Sequence, residues 1–116
     1  QNITINGGHQ TRDFIYVKDV VNIIYRATVL ASKKTICEIS NVLTGDSITI
    51  DKLAEKMINI IDVNVELNYQ SLPLGDPAQS NGSTKKMTKL FEIELDKFTK
   101  LDKGLENTVH FFLKED

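Results

Sequence analysis

The sequence predicts a small α/β domain with short strands and about four helices. Segments that alternate apolar and polar residues, as strands do, are interspersed with segments whose apolar residues recur at helical spacing. Turn-forming residues separate the two kinds of segment. The chain has 116 residues, of which 41% are apolar, and this is enough for one hydrophobic core without disulfides or a structural metal. We therefore expect a single domain over residues 1–116.

The first elements are two extended segments and a helix. Ile3-Thr4-Ile5 has the alternation of a strand and ends at the turn signal Asn6-Gly7-Gly8. Residues 13–17 carry apolar side chains on both faces, which predicts a buried extended segment. From Val17 onward the apolar residues repeat at the spacing of one helical face, so residues 18–31 should form a helix.

A third strand and a second helix follow. Residues 36–40 alternate and predict a strand that buries Cys37, a small side chain with no partner for a disulfide or a metal. Residues 50–61 have the strongest helical periodicity in the chain. Thr49 can cap this helix, and Asp51 suits its first turn because a carboxylate favours the positive end of the helix dipole.

The last part of the chain predicts a strand, a long loop and two helices. Residues 63–69 alternate as a half-buried strand does. Residues 70–82 contain both prolines and two glycines and are expected to form a loop, and long loops in compact domains are usually functional or disordered. A short helix is predicted over residues 83–91, and a final helix begins near Thr99, whose side chain can cap it.

The charge balance and the apolar runs exclude two classes of partner. The net charge is −2, charged residues make up 26% of the chain, and no long run has a single sign, so we expect no nucleic-acid partner. No apolar run approaches the about 20 residues that cross a bilayer, so we expect no membrane span. The single cysteine favours a reducing, cytoplasmic setting. The sequence opens without a methionine inside a strand-like segment, so we expect it to be a fragment of a longer protein.

Arg12 is the most informative charged residue. It follows a Gly-Gly turn and precedes a segment predicted to be buried, which would hold its guanidinium at the edge of a cleft. A guanidinium suits phosphate because its planar fork donates two hydrogen bonds and keeps its proton. The alternative is a surface contact with Asp13 or with a helix terminus.

The other chemistry-bearing residues predict no reactive group. His9 and His110 have no second ligand at metal-binding spacing, so we expect no metal site. A nicotinamide cofactor needs a glycine-rich turn between a strand and a helix, and that spacing does not occur in the sequence. No tyrosine is followed four residues later by the lysine that short-chain dehydrogenases use. We therefore expect no catalytic residue, no bound cofactor and no activity in this chain alone.

Four segments of the sequence carry a resemblance to a known family. They are GGHQTRDFIYVKDVV, SNVLTGDSITIDKLAEKM, the LGD of the proline-bearing loop, and DKGLENTVHFF. Their order and spacing resemble the C-terminal third of the extended short-chain dehydrogenase/reductase family, which includes UDP-glucose 4-epimerases and dTDP-glucose 4,6-dehydratases. The pattern G-x-x-Q-x-R-D-F-x-Y-V-x-D-V in the first segment is the most specific part of the resemblance.

The resemblance implies a small α/β substrate domain that normally packs against a Rossmann domain, with the diphosphate of a sugar nucleotide in the cleft between them. By position, Arg12 would hold the diphosphate, Gln10 would line the same pocket, and Asp76 would bind the ribose hydroxyls. Asp13 and Asp19 would support the backbone of the motif. The resemblance places the nucleotide-sugar substrate in this chain and NAD in the Rossmann half.

The resemblance also bears on the whole enzyme. The full-length protein would be an NAD-dependent epimerase or dehydratase and a homodimer, with 4-epimerisation, 4,6-dehydration and keto-sugar reduction all open. Family members often have an arginine three residues before the loop aspartate, where this chain has Pro73. A non-catalytic regulatory or protein-interaction domain on the same scaffold is therefore the alternative. The chain without its Rossmann half is expected to expose an apolar face and to self-associate.

Overall fold

The computed structural model of the chain describes residues 2–35 and 37–114. The described elements, in chain order, are β1 (Asn2–Asn6), β2 (Thr11–Asp13), α1 (Val17–Lys33), β3 (Ser47–Thr49), α2 (Ile50–Ile61), β4 (Glu66–Gln70), α3 (Lys85–Phe91), a 3-10 turn (Leu95–Lys97) and α4 (Leu101–Phe112). The predicted α/β class, with short strands and four helices in the described part of the chain, is confirmed.

The strands form two small sheets that meet at one turn. β1 and β4 pair in parallel from Asn2↔Glu66 to Asn6↔Gln70, and β2 and β3 pair in antiparallel fashion. The Gly7 amide extends the first ladder by donating to the carbonyl of Gln70 at 2.8 Å. Residues 7–10 form the turn that connects β1 directly to β2. This turn therefore fixes the position of one sheet relative to the other.

The second helix forms where its periodicity and its capping residue predict it. The Thr49 hydroxyl oxygen accepts a hydrogen bond from the Lys52 amide at 3.3 Å, which satisfies one of the free donors at the start of α2. The helix ends at Asp62, which has left-handed backbone angles. The Lys56 ammonium lies 2.6 Å from Asp102 of α4, and α2 and α4 pack together.

The predicted cap of the last helix is wrong. The structure places Lys100 at the capping position of α4, without a side-chain hydrogen bond. Thr99 instead uses its hydroxyl and its amide to bind Asp19, at 3.3 and 2.9 Å. The carboxylate of Asp19 therefore ties the segment before α4 to the start of α1, a pairing 80 residues apart that local sequence does not indicate.

The extended segment predicted over residues 13–17 is confirmed only in part, because Tyr16 has extended backbone angles but the predicted burial is wrong. β2 ends at Asp13 because its partner β3 is only three residues long, and α1 begins at Val17. Residues 14–16 are half-buried rather than enclosed, and Val17 is 63% exposed. The two-sided apolar pattern thus belongs to the connection between a short strand and a helix.

The strand predicted over residues 36–40 does not form in the part that the structure describes. Ile36 lies outside the described residues. Residues 37–40 have no ladder partner among the described residues, and Ile39 is 86% exposed. Cys37 is exposed, so the prediction of a buried thiol is wrong. Alternation stabilises a strand only when a neighbouring strand lies beside it, and the described residues supply none there.

The last predicted strand and the loop are confirmed with shifted boundaries. β4 begins at Glu66 rather than at residue 63, and Val63 is 39% exposed. No helix or strand lies within residues 71–84, and α3 begins at Lys85. We refer to residues 71–84 as the proline loop.

The hydrophobic core of the described residues is small. Its most buried apolar side chains are Ile5, Ile23, Leu43, Met87 and Val109, of which Met87 is fully enclosed. Other apolar side chains remain in solvent, above all on α1. None of the described helices is both long and apolar enough to span a membrane.

One face of α1 is left uncovered by the described residues. Val17, Val21, Ile24 and Tyr25 lie on this face at helical spacing, and each is 58–68% exposed. We call these four residues the α1 stripe. A contiguous apolar face of this kind normally packs against another element or another protein.

Candidate functional site

The turn between the two sheets is held by Gln10. The Gln10 side chain is buried; its Oε1 accepts from the Gly8 amide at 2.5 Å and its Nε2 donates to the Asn6 carbonyl at 2.6 Å. Gly8 has a φ of +119°, and a Cβ there would lie 2.1 Å from Oδ1 of Asp51. Gln10 therefore uses its amide to fix the backbone that leads into β2.

Arg12 fastens the proline loop to β2. Its Nη1 donates to the carbonyls of Thr11 at 2.8 Å and Pro77 at 2.9 Å, and its Nη2 donates to Oδ1 of Asp76 at 2.5 Å. The alternative predicted from the sequence, a contact of Arg12 with Asp13 or with a helix terminus, is not found among the described residues. Two residues that the resemblance assigns to the substrate, Arg12 and Asp76, are brought together in one ion pair.

Main-chain contacts hold the same loop in register. The Thr11 amide donates to the carbonyl of Ala78 at 3.0 Å, and the Ser80 amide donates to the carbonyl of Thr11 at 3.2 Å. Before this segment, the Asp76 amide donates to the Pro73 carbonyl, and Gly75 between them has a φ of +88°. A turn of this type requires a positive φ at its third residue, which glycine adopts without strain.

Asp13 supports the segment that precedes β3. Its Oδ1 accepts from the Thr44 amide at 2.9 Å and from the Thr44 hydroxyl at 2.7 Å, and its Oδ2 accepts from the Gly45 amide at 2.7 Å. This is the supporting role that the resemblance implies for Asp13. Asp19 has the same role before α4, through its contacts with Thr99.

A cavity of about 530 Å³ opens between β1 and α2. Gln10, Arg12 and Asp76, the three residues that the resemblance assigns to the substrate, all line it. Most of the remaining wall comes from apolar side chains of α2 and β1. Among the described residues, Arg12 is the only lysine or arginine in the wall. The cavity thus combines one cation, one carboxylate and an apolar wall, a composition typical of small-molecule sites.

A second polar cluster lies beside the turn and was not predicted from the sequence. The Nδ1 atom of His9 is 3.2 Å from Oδ2 of Asp51, while the His9 ring is almost fully exposed. Partial burial of the phenol, and then the negative charges of Asp51 and Glu55, raise the pKa of Tyr69 above its ordinary value. The sequence carries no signal for this cluster because its members come from a turn, a helix and a strand.

The Gly7-Gly8 turn does not have the arrangement of a glycine-rich dinucleotide-binding turn. The only Gly-Gly turn, Gly7-Gly8, leads into strand β2 and not into a helix, so it does not present helix N-terminal amides to a pyrophosphate. No group of three or more histidine, cysteine, aspartate or glutamate side chains lies close enough to hold a metal ion in the described part of the chain.

Comparisons with known proteins give matches among solved structures. No family model matches the chain, and neither does any curated protein. A UDP-glucose 4-epimerase from Thermotoga maritima, solved with UDP-glucose, is 31% identical with a TM-score of 0.79. A UDP-N-acetylglucosamine 4-epimerase from Methanobrevibacter ruminantium M1, in complex with UDP-N-acetylmuramic acid, is 29% identical with a TM-score of 0.77.

A UDP-glucuronic acid 4-epimerase from Bacillus cereus, in complex with UDP-glucuronic acid and NAD, is 25% identical with a TM-score of 0.80. The matches to these three proteins cover 99–100% of this chain but only 36% of each solved chain. This chain therefore corresponds, in fold and in sequence, to the C-terminal part of the nucleotide-sugar epimerases and dehydratases of the extended short-chain dehydrogenase/reductase family.

Proposed function

We propose that this chain is the sugar-nucleotide-binding part of an NAD-dependent epimerase or dehydratase, with Arg12 on the diphosphate and Asp76 on the ribose hydroxyls. The observation that carries the proposal is the meeting of Arg12 and Asp76 at the wall of one cavity, although 64 positions separate them in the chain. A cation beside a carboxylate matches the chemistry of a nucleotide, whose phosphates accept hydrogen bonds and whose ribose donates them.

The remaining hydrogen-bonding capacity of the pair fits these roles. Among the described residues, Nε of Arg12 has no acceptor, and Oδ2 of Asp76 has no donor. The Nη1 contacts fix the guanidinium plane before a ligand arrives, so its free donors are already oriented for phosphate oxygens. Oδ2 of Asp76 can accept from a ribose hydroxyl while Oδ1 keeps its contact with Arg12.

Gln10 contributes to this site by positioning the backbone of the turn that leads into β2. Both ends of its amide are engaged with the turn, so a direct hydrogen bond to substrate would cost one of those contacts. We propose that Gln10 lines the pocket with its side-chain atoms and holds the Gly7-Gly8 turn next to the substrate.

The single cation distinguishes this site from the common family pattern. An arginine at position 73 would add charged hydrogen bonds worth about 1.5–3 kcal/mol. With Pro73 there, diphosphate affinity depends on Arg12 more strongly than in relatives that have both arginines.

We propose that an NAD-binding Rossmann domain of the same longer protein packs against this chain and covers its exposed apolar surface. The solved proteins are about three times as long as the matched region, which leaves room for such a domain. The α1 stripe is an apolar surface, and residues 37–40 are mostly exposed and have no ladder partner among the described residues. A neighbouring domain would cover both surfaces. The residues for transfer of hydride and protons would lie in that domain, and the whole enzyme is proposed to be a cytoplasmic homodimer.

Binding of a panel of nucleotide sugars tests the proposal. UDP-, dTDP-, GDP- and CDP-sugars are titrated calorimetrically into the longer protein that contains this chain. We expect one nucleotide class to bind, with inorganic pyrophosphate competing weakly for the same site. Failure of all four to bind would overturn the proposal.

A non-catalytic domain on the same scaffold is the second candidate, favoured by Pro73 and by the α1 stripe. A regulatory domain would keep the fold without needing the second phosphate contact, and it would use the exposed apolar face to bind another protein. Assays of the longer protein for bound NAD and for turnover of the preferred nucleotide sugar separate the two candidates. Turnover with NAD supports the enzyme, whereas a protein without either activity supports the regulatory domain.

A further inference from the structure

Two Asn-Gly pairs, Asn6-Gly7 and Asn81-Gly82, occur in this chain. In such a pair the glycine amide nitrogen can attack the side-chain carbonyl carbon of the asparagine. A carbon–nitrogen bond forms, ammonia leaves, and a five-membered succinimide ring results. Water then opens the ring to give either aspartate or isoaspartate. The reaction requires a glycine amide that is free of hydrogen bonds and a backbone that can bend toward the side chain.

The pair at Asn6-Gly7 is protected by the sheet. Asn6 is the last residue of the β1 ladder, and the Gly7 amide donates to the Gln70 carbonyl at 2.8 Å. The Asn6 carbonyl also accepts from Gln10 at 2.6 Å. The ring can close only after these contacts break, which requires local opening of β1.

The pair at Asn81-Gly82 has no such protection. Both residues are exposed and lie in the proline loop, and the Gly82 amide has no hydrogen-bond acceptor among the described residues. The Asn81 carboxamide is held only by two long contacts of 3.4 Å, with the Ser47 hydroxyl and with Gln79. Such distances correspond to weak hydrogen bonds, so the side chain is free to turn toward the amide.

Packing keeps the glycine in place. A Cβ at Gly82 would lie 2.8 Å from a methyl carbon of Leu43, a side chain that is only 8% exposed. A larger residue at position 82 would require the Leu43 side chain to shift, so substitution of Asn81 is the cleaner test of this pair.

We propose that Asn81 is a site of spontaneous deamidation that alters the proline loop. The product carboxylate would add a negative charge to a cleft of about 380 Å³ that Asp13 also lines. The isoaspartate form would also lengthen the main chain by one carbon next to Ser80, whose amide is bonded to Thr11. Both changes loosen the loop that carries Asp76, and the proposal does not depend on which ligand binds there.

Peptide mass mapping of the folded full chain during incubation at neutral pH tests the proposal. We expect the mass gain of amide-to-acid conversion to accumulate at least about tenfold faster at Asn81 than at Asn6, because β1 must open before Gly7 can react. An isoaspartate-specific methylation assay should give a signal that Asn81→Ser removes and Asn6→Ser keeps.

Denaturation provides the decisive control. In denaturant the two Asn-Gly pairs lose their structural difference, so their rates should converge. Equal rates at Asn6 and Asn81 in the folded chain, or an Asn81 that stays intact in the folded chain while it reacts in the denatured chain, would overturn the proposal.

Discussion

Arg12 and Asp76 form a hydrogen-bonded ion pair in which Nη2 and Oδ1 are 2.5 Å apart, although 64 positions separate the two residues in the chain. The pair joins β2 to the proline loop at the wall of a cavity whose other residues are mostly apolar. Both side chains remain partly exposed, at 24% and 38%, so solvent screens the pair. The pair therefore contributes more by positioning the proline loop on β2 than by stabilising the fold.

The two partners of this ion pair should differ in what they recognise. Asp76→Ala removes the proposed acceptor for the ribose but leaves the Arg12 guanidinium free for the proposed contact with phosphate. We expect about a tenfold loss in affinity for the preferred nucleotide sugar, the effect of losing one charged hydrogen bond. Affinity for inorganic pyrophosphate, measured by the same calorimetric titration, should stay equal or rise. A parallel loss for both ligands would contradict the separate roles.

Asp13 is expected to stabilise the fold. Asp13→Ala leaves the amides of Thr44 and Gly45 without their acceptor, and we expect the free energy of unfolding to fall by about 2–3 kcal/mol. Asp46→Ala is the matched control because no hydrogen bond to the exposed Asp46 carboxylate is present among the described residues, and it should change stability by less than about 0.5 kcal/mol. Urea unfolding of both variants measures the difference, and equal effects would contradict the role of Asp13.

Alanine substitutions at two glycines with positive φ distinguish the free-energy cost of a steric clash from that of backbone strain. At Gly75 a Cβ meets nothing within 4 Å, so Gly75→Ala should cost only the strain of a positive φ, about 1–2 kcal/mol. At Gly8 a Cβ would also overlap the Asp51 carboxylate, so Gly8→Ala should cost about 3 kcal/mol or more. Thermal or urea unfolding compares the two variants. A Gly8→Ala variant as stable as Gly75→Ala would show that Asp51 does not occupy this position.

Tyr69 should titrate above its ordinary value. Partial burial of the phenol, and then the charges of Asp51 and Glu55, raise its pKa above 10.0. The unfolded chain releases this proton first, so it binds fewer protons than the native state, and stability should fall as the pH rises through the window that begins near 10.0. Ultraviolet titration of a chain with Tyr16→Phe and Tyr25→Phe measures Tyr69 alone. Asp51→Asn should lower the pKa, and identical values in folded and denatured chains would contradict the assignment.

The chain without a covering domain should self-associate through the α1 stripe. Four side chains that are 58–68% exposed form one apolar face, and such faces favour association in water. Sedimentation velocity of residues 1–116 should show oligomers that increase with concentration. Val21→Glu should reduce them, whereas Asn22→Glu, on the neighbouring position of the same helix, should not. A strictly monomeric profile at high concentration would argue against this interface.

Local patterns predicted the helices better than they predicted the strands. α2 forms within the predicted residues because its periodicity and its cap act over short distances, and tertiary packing agrees with both. The strand predicted at residues 36–40 depends on a neighbour that local sequence does not specify, and the described residues provide none. Cys37 is exposed for the same reason.

The candidate site could be predicted only in part. The guanidinium of Arg12 at a cleft edge followed from its place between a turn and a strand, whereas its pairing with Asp76 depends on how the proline loop folds back onto β2. Only the family resemblance connected these two residues to one substrate. The hydrogen bonds of Gln10 to the turn were not predictable, since they depend on the positive φ values of Gly7 and Gly8.

The proposed binding of a nucleotide-sugar diphosphate by Arg12 is tested by a matched pair of arginine variants. Arg26 also donates two hydrogen bonds to main-chain carbonyls, those of Phe91 and Glu92, but it does not line the cavity that Arg12 and Asp76 share. Calorimetric titration of the preferred nucleotide sugar into the longer protein should show a loss of at least about tenfold in affinity for Arg12→Ala. Arg26→Ala should bind as tightly as the unaltered protein. Unchanged affinity in Arg12→Ala, or equal losses in the two variants, would show that Arg12 does not bind the diphosphate.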